Sequence, residues 1–386
     1  MNTTLPRYGL MLGNFATGLC ILAPAGMLPI LAEGVGVGIR EAGLLVTFGA
    51  VILCFGSPIV AWLTTRIDRR TLLVGSLAFM VIGQAASAFA PNYATVLALR
   101  LAMVAGAAVF TPQAASTIAL LVPEKERSGA IAFVFLGWSL AVAGGLPLIT
   151  FVSAYAGWRG AFAVASLTAL VPAILLLYAL PRKLLGPPLS LHSFNVLAHS
   201  RKIILLLFIT ILPISGQLIV FVYLAPLLQK LTGASHEVTG FMFALFGVAA
   251  FIGNIIATSI VGRLGGFVTS GIFLSSTLSG LLLWSFGAGF LPVMGAGIAM
   301  MGMGFAATNS MQQARLVQAA PELASASVAL NTSGVYIGQA IGSGVGGVLF
   351  GLGWLNAVGF VGVAFVLAGI AVWGMTRARA AVAHAS

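Results

Sequence analysis

"WLTTRIDRRTLL", residues 62–73, is the stretch on which the reading of this chain turns. It packs Arg66, Asp68, Arg69 and Arg70 into five positions, in a chain of 386 residues of which only 6% are charged. On either side the chain runs almost without charge for about 20 residues, the length that spans a bilayer's hydrocarbon core. A knot of charge between two such runs is a loop at a membrane surface.

Composition extends that reading to the whole chain. It is 60% hydrophobic, with a mean hydropathy of +1.11. A soluble protein of this size has no way to hide so much apolar surface. A transmembrane barrel would show short alternating segments, and these are absent. The net charge of +11 belongs to the basic loops that orient membrane proteins, so no nucleic-acid partner is expected. Cys20 and Cys54 both fall in apolar runs and imply no disulfide framework. The first apolar run follows Arg7 and continues to Leu31 without a small-x-small cleavage site, so it reads as a membrane helix rather than a signal peptide.

Charged, proline and glycine clusters divide the chain into twelve expected helices: 8–31, 41–64, 71–90, 93–121, 128–152, 157–180, 203–230, 237–262, 267–287, 290–315, 323–350 and 353–376. The polar break at 181–202 separates them six and six. This gives an all-α polytopic membrane protein with an N-terminal bundle at 1–181, a linker at 182–202 and a C-terminal bundle at 203–386. With the N-terminus inside, fourteen of the eighteen Lys and Arg residues fall on the cytoplasmic side. Three fall outside (Arg40, Arg159, Lys230), and Arg100 is left inside a helix. That asymmetry predicts both termini in the cytoplasm. The halves also repeat: Pro29 and Pro226, Gly56 and Gly253, and Arg66 and Arg263 are each 197 residues apart. Gly157-Trp158 and Gly353-Trp354 are 196 apart. Paired homologous halves with a solute site near the bilayer midplane are a transporter plan.

On these residues the chain resembles the major facilitator superfamily over nearly its whole length. The family's loop 2–3 signature is matched at Leu63, Arg66, Arg69 and Arg70, and departs at Ala61, Thr65 and Asp68. "FATGLCILAPAGMLPILAEGVGV", "REAGLLVTFGA", "GGLPLITFVSAYAGWRGAF" and "FVYLAPLLQKLTGAS" resemble the drug/proton antiporter branch that includes the bacterial sugar-efflux (arabinose-efflux-like) proteins. The resemblance implies the major facilitator fold, two pseudo-symmetric six-helix bundles. It also implies a conformational latch formed by Arg66, Asp68, Arg69 and Arg70. It implies a coupling role for Arg100, for which Glu33 is a candidate partner. Many relatives carry an acid in helix 1 where this chain has Ile21.

The acids and histidines all map to helix ends or loops, which argues against a strongly cationic solute. Binding candidates are therefore the polar, uncharged residues within helices. They are Asn14, Gln113, Trp138 and Ser139 in the first half, and Gln217, Tyr223, Asn309, Gln312, Gln313, Asn331, Tyr336 and Gln339 in the second. Structural hydrogen bonding between helices is the competing role for each. Gly334, Gly338, Gly342 and Gly346 form a stripe for close helix approach. No Walker sequence, metal motif or nucleophile–base set appears, so no cofactor, metal or catalytic residue is expected.

The expected function is export of a small neutral or amphipathic solute (a sugar, nucleoside or drug) by alternating access, with proton antiport. The protein is expected to act as a monomer in a bacterial-type inner membrane, with lipid and protons as its other partners. An uncoupled facilitator is the nearest alternative. A ligand-binding receptor or sensor on a transporter fold is the alternative from another class.

Overall fold

The computed structural model describes residues 3–64, 67–123, 126–185, 195–197 and 199–376. The described chain is helical: α1 (Thr4–Gly26), α2 (Leu28–Val35), α3 (Ile39–Leu63), α4 (Arg69–Ala88), α5 (Tyr93–Ala107), α6 (Phe110–Leu121), α7 (Arg127–Leu140), α8 (Leu146–Ala179), α9 (Arg201–Phe221), α10 (Leu224–Thr232), α11 (His236–Phe286), α12 (Leu291–Ala319), α13 (Ala324–Gly351) and α14 (Ala357–Met375).

Among the described residues ten helical runs are long and apolar enough to cross a membrane. Two of them, Gly129–Ala179 and His236–Phe286, are 51 residues long. Such a length rises about 76 Å, more than twice the roughly 30 Å hydrocarbon core. Each is broken by one glycine, at Gly157 (φ 69, ψ 177) and Gly265 (φ 75, ψ 158). A residue with a side chain rarely adopts this backbone, so these glycines separate two spans each. The ten runs thus supply twelve spans. Large apolar side chains such as Phe55, Ile82, Phe241 and Phe286 stay exposed, as lipid-facing surfaces require.

Three of the expected helices are interrupted. The first breaks at Met27 between α1 and α2, the fourth at Ala108–Val109 between α5 and α6, and the seventh at Val222–Tyr223 between α9 and α10. The repeat seen in the sequence reappears here as geometry. Leu28 opens α2 and Leu224 opens α10, and both short helices end on left-handed glycines, Gly36 (φ 69) and Gly233 (φ 66). Gly157 and Gly353 (φ 74) match in the same way.

The chain forms two compact units, Met1–Leu189 with Ser235–Ala244, and Ser190–Ala234 with Leu245–Ser386. Most of the expected linker, 186–194 and 198, lies outside the described residues. In the first unit Leu19, Ala23, Met27, Leu31, Leu45, Trp158 and Phe162 form a buried core. The fifth span carries a π-helical turn, Ala141–Gly145, just before Pro147. Proline has no N–H to give the carbonyl one turn back, and the ladder widens there. In the second unit Leu206, Ile209, Leu274 and Leu316 belong to one buried cluster, and Ala257, Phe273, Ala307 and Met311 form another.

The glycine stripe of α13 faces α9 within the second unit. A Cβ at Gly338 would stand 2.8 Å from Ile211 O, one at Gly342 2.5 Å from Ser215 O, and one at Gly346 2.7 Å from Ile219 O. The two backbones touch, so the stripe is used for packing inside one unit. Gly334 is different, because its Cβ would meet Ile211 Cγ1 at an ordinary 3.5 Å. Gly342→Ala is therefore expected to destabilise the fold by about 1–3 kcal/mol through overpacking. Gly334→Ala is expected to be tolerated. Melting curves of the two variants in detergent check this, and equal curves would refute the close approach.

Candidate functional site

Pro24 lies inside α1 and has no N–H. The carbonyl it leaves without a helical donor is that of Cys20, four residues earlier. Inside a bilayer no water is at hand to repair such a loss. Two side chains from other helices do so: Gln84 Nε2 donates to Cys20 O at 3.2 Å, and Arg100 Nη1 donates to it at 3.0 Å. Arg100 Nη2 donates to Ile21 O, and its Nε donates to Leu45 O at 3.2 Å. The guanidinium thus ties α5 to α1 and α3, beside the negative end of the α1 dipole. Arg100 is 2% exposed, so it neither snorkels nor lies open. Glu33, exposed near the end of α2, makes no ion pair with it among the described residues; the ion pair described there is Arg7–Glu126, at 2.6 Å.

The polar candidates sort by what they touch. In the first unit Asn14, fully buried, donates to Val134 O at 3.0 Å and accepts from Thr111 at 2.9 Å. Trp138 is half-buried, and its Nε1 donates to Thr111 Oγ1 at 3.1 Å. Gln113 is buried, with its Nε2 at 3.5 Å from Thr64 Oγ1. Ser139 is half-buried.

In the second unit Thr210 donates to Asn331 Oδ1 at 2.7 Å, and Asn331 Nδ2 donates to Asn309 Oδ1 at 2.8 Å. Gln217 Nε2 donates to Thr277 Oγ1 at 3.4 Å, and Tyr223 donates to Ser343 O at 3.0 Å. Gln312 Nε2 donates to Ser270 Oγ at 3.2 Å and its Oε1 accepts from Arg315 at 3.4 Å. Tyr336 and Gln339 are buried, and Gln339 Nε2 has no acceptor among the described residues. Asn309 and Gln313 are half-buried.

Sequence reasoning passed over Gln84, Thr111, Thr210 and Thr277. Threonine in an apolar helix usually bonds its own preceding turn, so only the three-dimensional neighbours reveal one that bonds across helices.

Of the expected latch residues, Arg66 lies outside the described residues. Asp68 caps α4, accepting from Thr71 N and Thr71 Oγ1, both at 3.2 Å. It also accepts from Leu184 N at 2.7 Å, while Arg69 N donates to Leu184 O at 2.9 Å. The loop therefore holds the start of the segment that leaves the first six spans. The Arg69 side chain is buried, with no acceptor for Nε or Nη1 among the described residues, and Arg70 is half-buried.

The Pro24 break yields a double-mutant test. Arg100→Ala is expected to lower the melting temperature, because α5 loses its tie to α1 and α3 and Cys20 O keeps only Gln84, and to impair transport more than Arg40→Ala, whose side chain is exposed. Pro24→Ala restores an N–H for Cys20 O, so the double variant is expected to regain part of the lost melting temperature. No recovery would sink this account.

Comparison with known proteins agrees with this architecture. The family pattern described as Major Facilitator Superfamily matches residues 10–332. The chain is 28% identical over 359 residues to the inner membrane transport protein YdhP of Escherichia coli (strain K12), covering 92% of this chain and 90% of that protein. It is 27% identical over 347 residues to a probable sugar efflux transporter of Mannheimia succiniciproducens, covering 89% and 85%. The crystal structure of the human organic anion transporter MFSD10 superposes with a TM-score of 0.74 at 18% identity, over 97% of this chain and 100% of that one, a likeness of fold. With twelve spans in two repeated sets and a family match over most of its length, the chain belongs to the major facilitator superfamily.

Proposed function

We propose that this transporter exports a small neutral or amphipathic solute, such as a sugar, nucleoside or drug, by alternating access. One observation carries the reading. Among the described residues the buried polar side chains within the spans are mostly amides and hydroxyls; the guanidinium of Arg100, deepest of the charges, is taken up by backbone carbonyls, and that of Arg315, half-buried near the end of α12, by Gln312 and Thr376. Groups of this kind suit an uncharged partner, since a strongly charged solute would need a counter-charge. Relatives named as sugar efflux transporters support the direction. In this reading the protein acts as a monomer in an inner membrane with both termini in the cytoplasm, an orientation that the fourteen-to-three split of Lys and Arg supports.

Proton antiport is the coupling that the family resemblance implies. A second reading, facilitated diffusion without protons, is favoured by the placement of the described acids. Glu33, Glu41, Asp68, Glu126, Glu237 and Glu322 all stand at helix ends or caps. Proton relays across membranes normally use acids or histidines within the spans.

Purified protein in sealed vesicles carrying an internal pH dye tests both. Counterflow of a labelled sugar, nucleoside or neutral drug is expected, together with a dye signal on solute addition. Counterflow without a dye signal would replace antiport by facilitated diffusion. Ligand-induced thermal stabilisation without counterflow of any compound would mark a receptor instead.

A further inference from the structure

We propose that the second unit holds the phosphate of an anionic phospholipid at Arg315, where the ends of three spans meet on one membrane face. All of the residues concerned belong to that unit, and the inference does not depend on which solute the protein carries.

Arg315 stands one turn before the end of α12 and is half-buried. Its guanidinium is held from several sides. Nη2 donates to Thr376 Oγ1 at 2.8 Å, and Thr376 Oγ1 donates to Trp373 O at 2.7 Å, at the end of α14. Nη1 donates to Gln312 Oε1 at 3.4 Å, Gln312 Nε2 donates to Ser270 Oγ at 3.2 Å, and Ser270 Oγ donates to Gly266 O at 2.7 Å. The guanidinium carbon lies 5.5 Å from the Phe267 ring centre, and Phe267 stacks on Trp373 with centroids 4.3 Å apart. Trp373 Nε1 fixes that stack by donating to Phe267 O at 3.0 Å. Gly266 follows the break at Gly265 and lets the backbone pass close to Arg315, since a Cβ there would stand 3.3 Å from its Cγ.

Every one of these partners is neutral. A guanidinium carries more N–H donors than the two used here, and Nε has no acceptor among the described residues. The unit itself supplies little to balance the charge. It carries seven Lys and Arg residues against one acid, Glu322, which is exposed and in no ion pair among the described residues. Arg263, two residues before Gly265, is exposed, and Arg377 follows Thr376 in the sequence. A partly desolvated cation with neutral partners calls for an anion from outside the protein.

Position selects a lipid. Val268 and Ile272, one turn apart after Phe267, and Met375, beside Thr376, are exposed apolar side chains of the kind that meet acyl chains. The planar fork of arginine matches phosphate oxygens. The basic surroundings favour a headgroup without an ammonium of its own, so phosphatidylglycerol is preferred to phosphatidylcholine.

The test is native mass spectrometry of the full-length protein released from nanodiscs of equal phosphatidylglycerol and phosphatidylcholine. Melting curves in detergent with either lipid, or with inorganic phosphate, accompany it. The wild type is expected to retain phosphatidylglycerol over phosphatidylcholine and to melt higher with it. Arg315→Gln is expected to weaken that retention about tenfold. Arg315→Lys keeps the charge without the fork and is expected to weaken it about threefold. Arg40→Gln, in the first unit, is expected to change neither readout. A purely structural Arg315 would lower the melting temperature equally in both lipids and leave retention unchanged, which overturns the inference. Equal retention of the two lipids by the wild type also overturns it. So does equal stabilisation by inorganic phosphate, which marks a site for a free anion. If Arg315→Gln yields no folded protein, Arg315→Lys carries the test, and wild-type retention in that variant overturns the inference.

Discussion

A carbonyl that lacks a donor inside a membrane must find one in the protein, and the first unit is arranged around such a carbonyl. Pro24 denies Cys20 O its helical partner, and Gln84 and Arg100 reach it from α4 and α5. Because Arg100 also holds Ile21 and Leu45, one guanidinium connects α1, α3 and α5. Its cationic cost is met by the partial charges of three carbonyls in place of a carboxylate. The most conspicuous charge in the sequence therefore supports an interrupted helix.

The second unit has no counterpart of the Pro24–Arg100 pair, since Val220 and Phe221 stand 196 and 197 residues after Pro24. The position 196 residues after Arg100 is Ala296, and the helix break at Val222–Tyr223 is braced by Tyr223 donating to Ser343 O. The α9 and α13 backbones are drawn together by Gly338, Gly342 and Gly346. Shared geometry with different chemistry is what duplication followed by divergence leaves: helix breaks and caps persist because the backbone demands them, while the groups that satisfy them change.

Loop 2–3 shows how a sequence signature acquires a physical role that the pattern alone does not specify. Asp68 departs from the family pattern, yet it caps α4 and holds Leu184 in one arrangement. A carboxylate has enough lone pairs to accept from Thr71 and Leu184 together.

Much of the fold was legible in the chain. Twelve apolar lengths, the repeat at 196 and 197 residues and the glycines at 157 and 353 follow from membrane thickness and backbone conformation, which act locally. The polar residues of the candidate site were legible as a set, since uncharged amides in apolar helices stand out. Their division of labour was not. Which groups Asn14 bonds, and whether Arg100 seeks Glu33 or the carbonyls beside Pro24, depends on which helices lie side by side. Thr111 and Gln84 gave no sign in the sequence because their partners lie 97 and 64 residues away. Hydropathy and helix length are properties of a segment, whereas hydrogen-bond satisfaction is a property of neighbours, and only the tertiary structure supplies the neighbours.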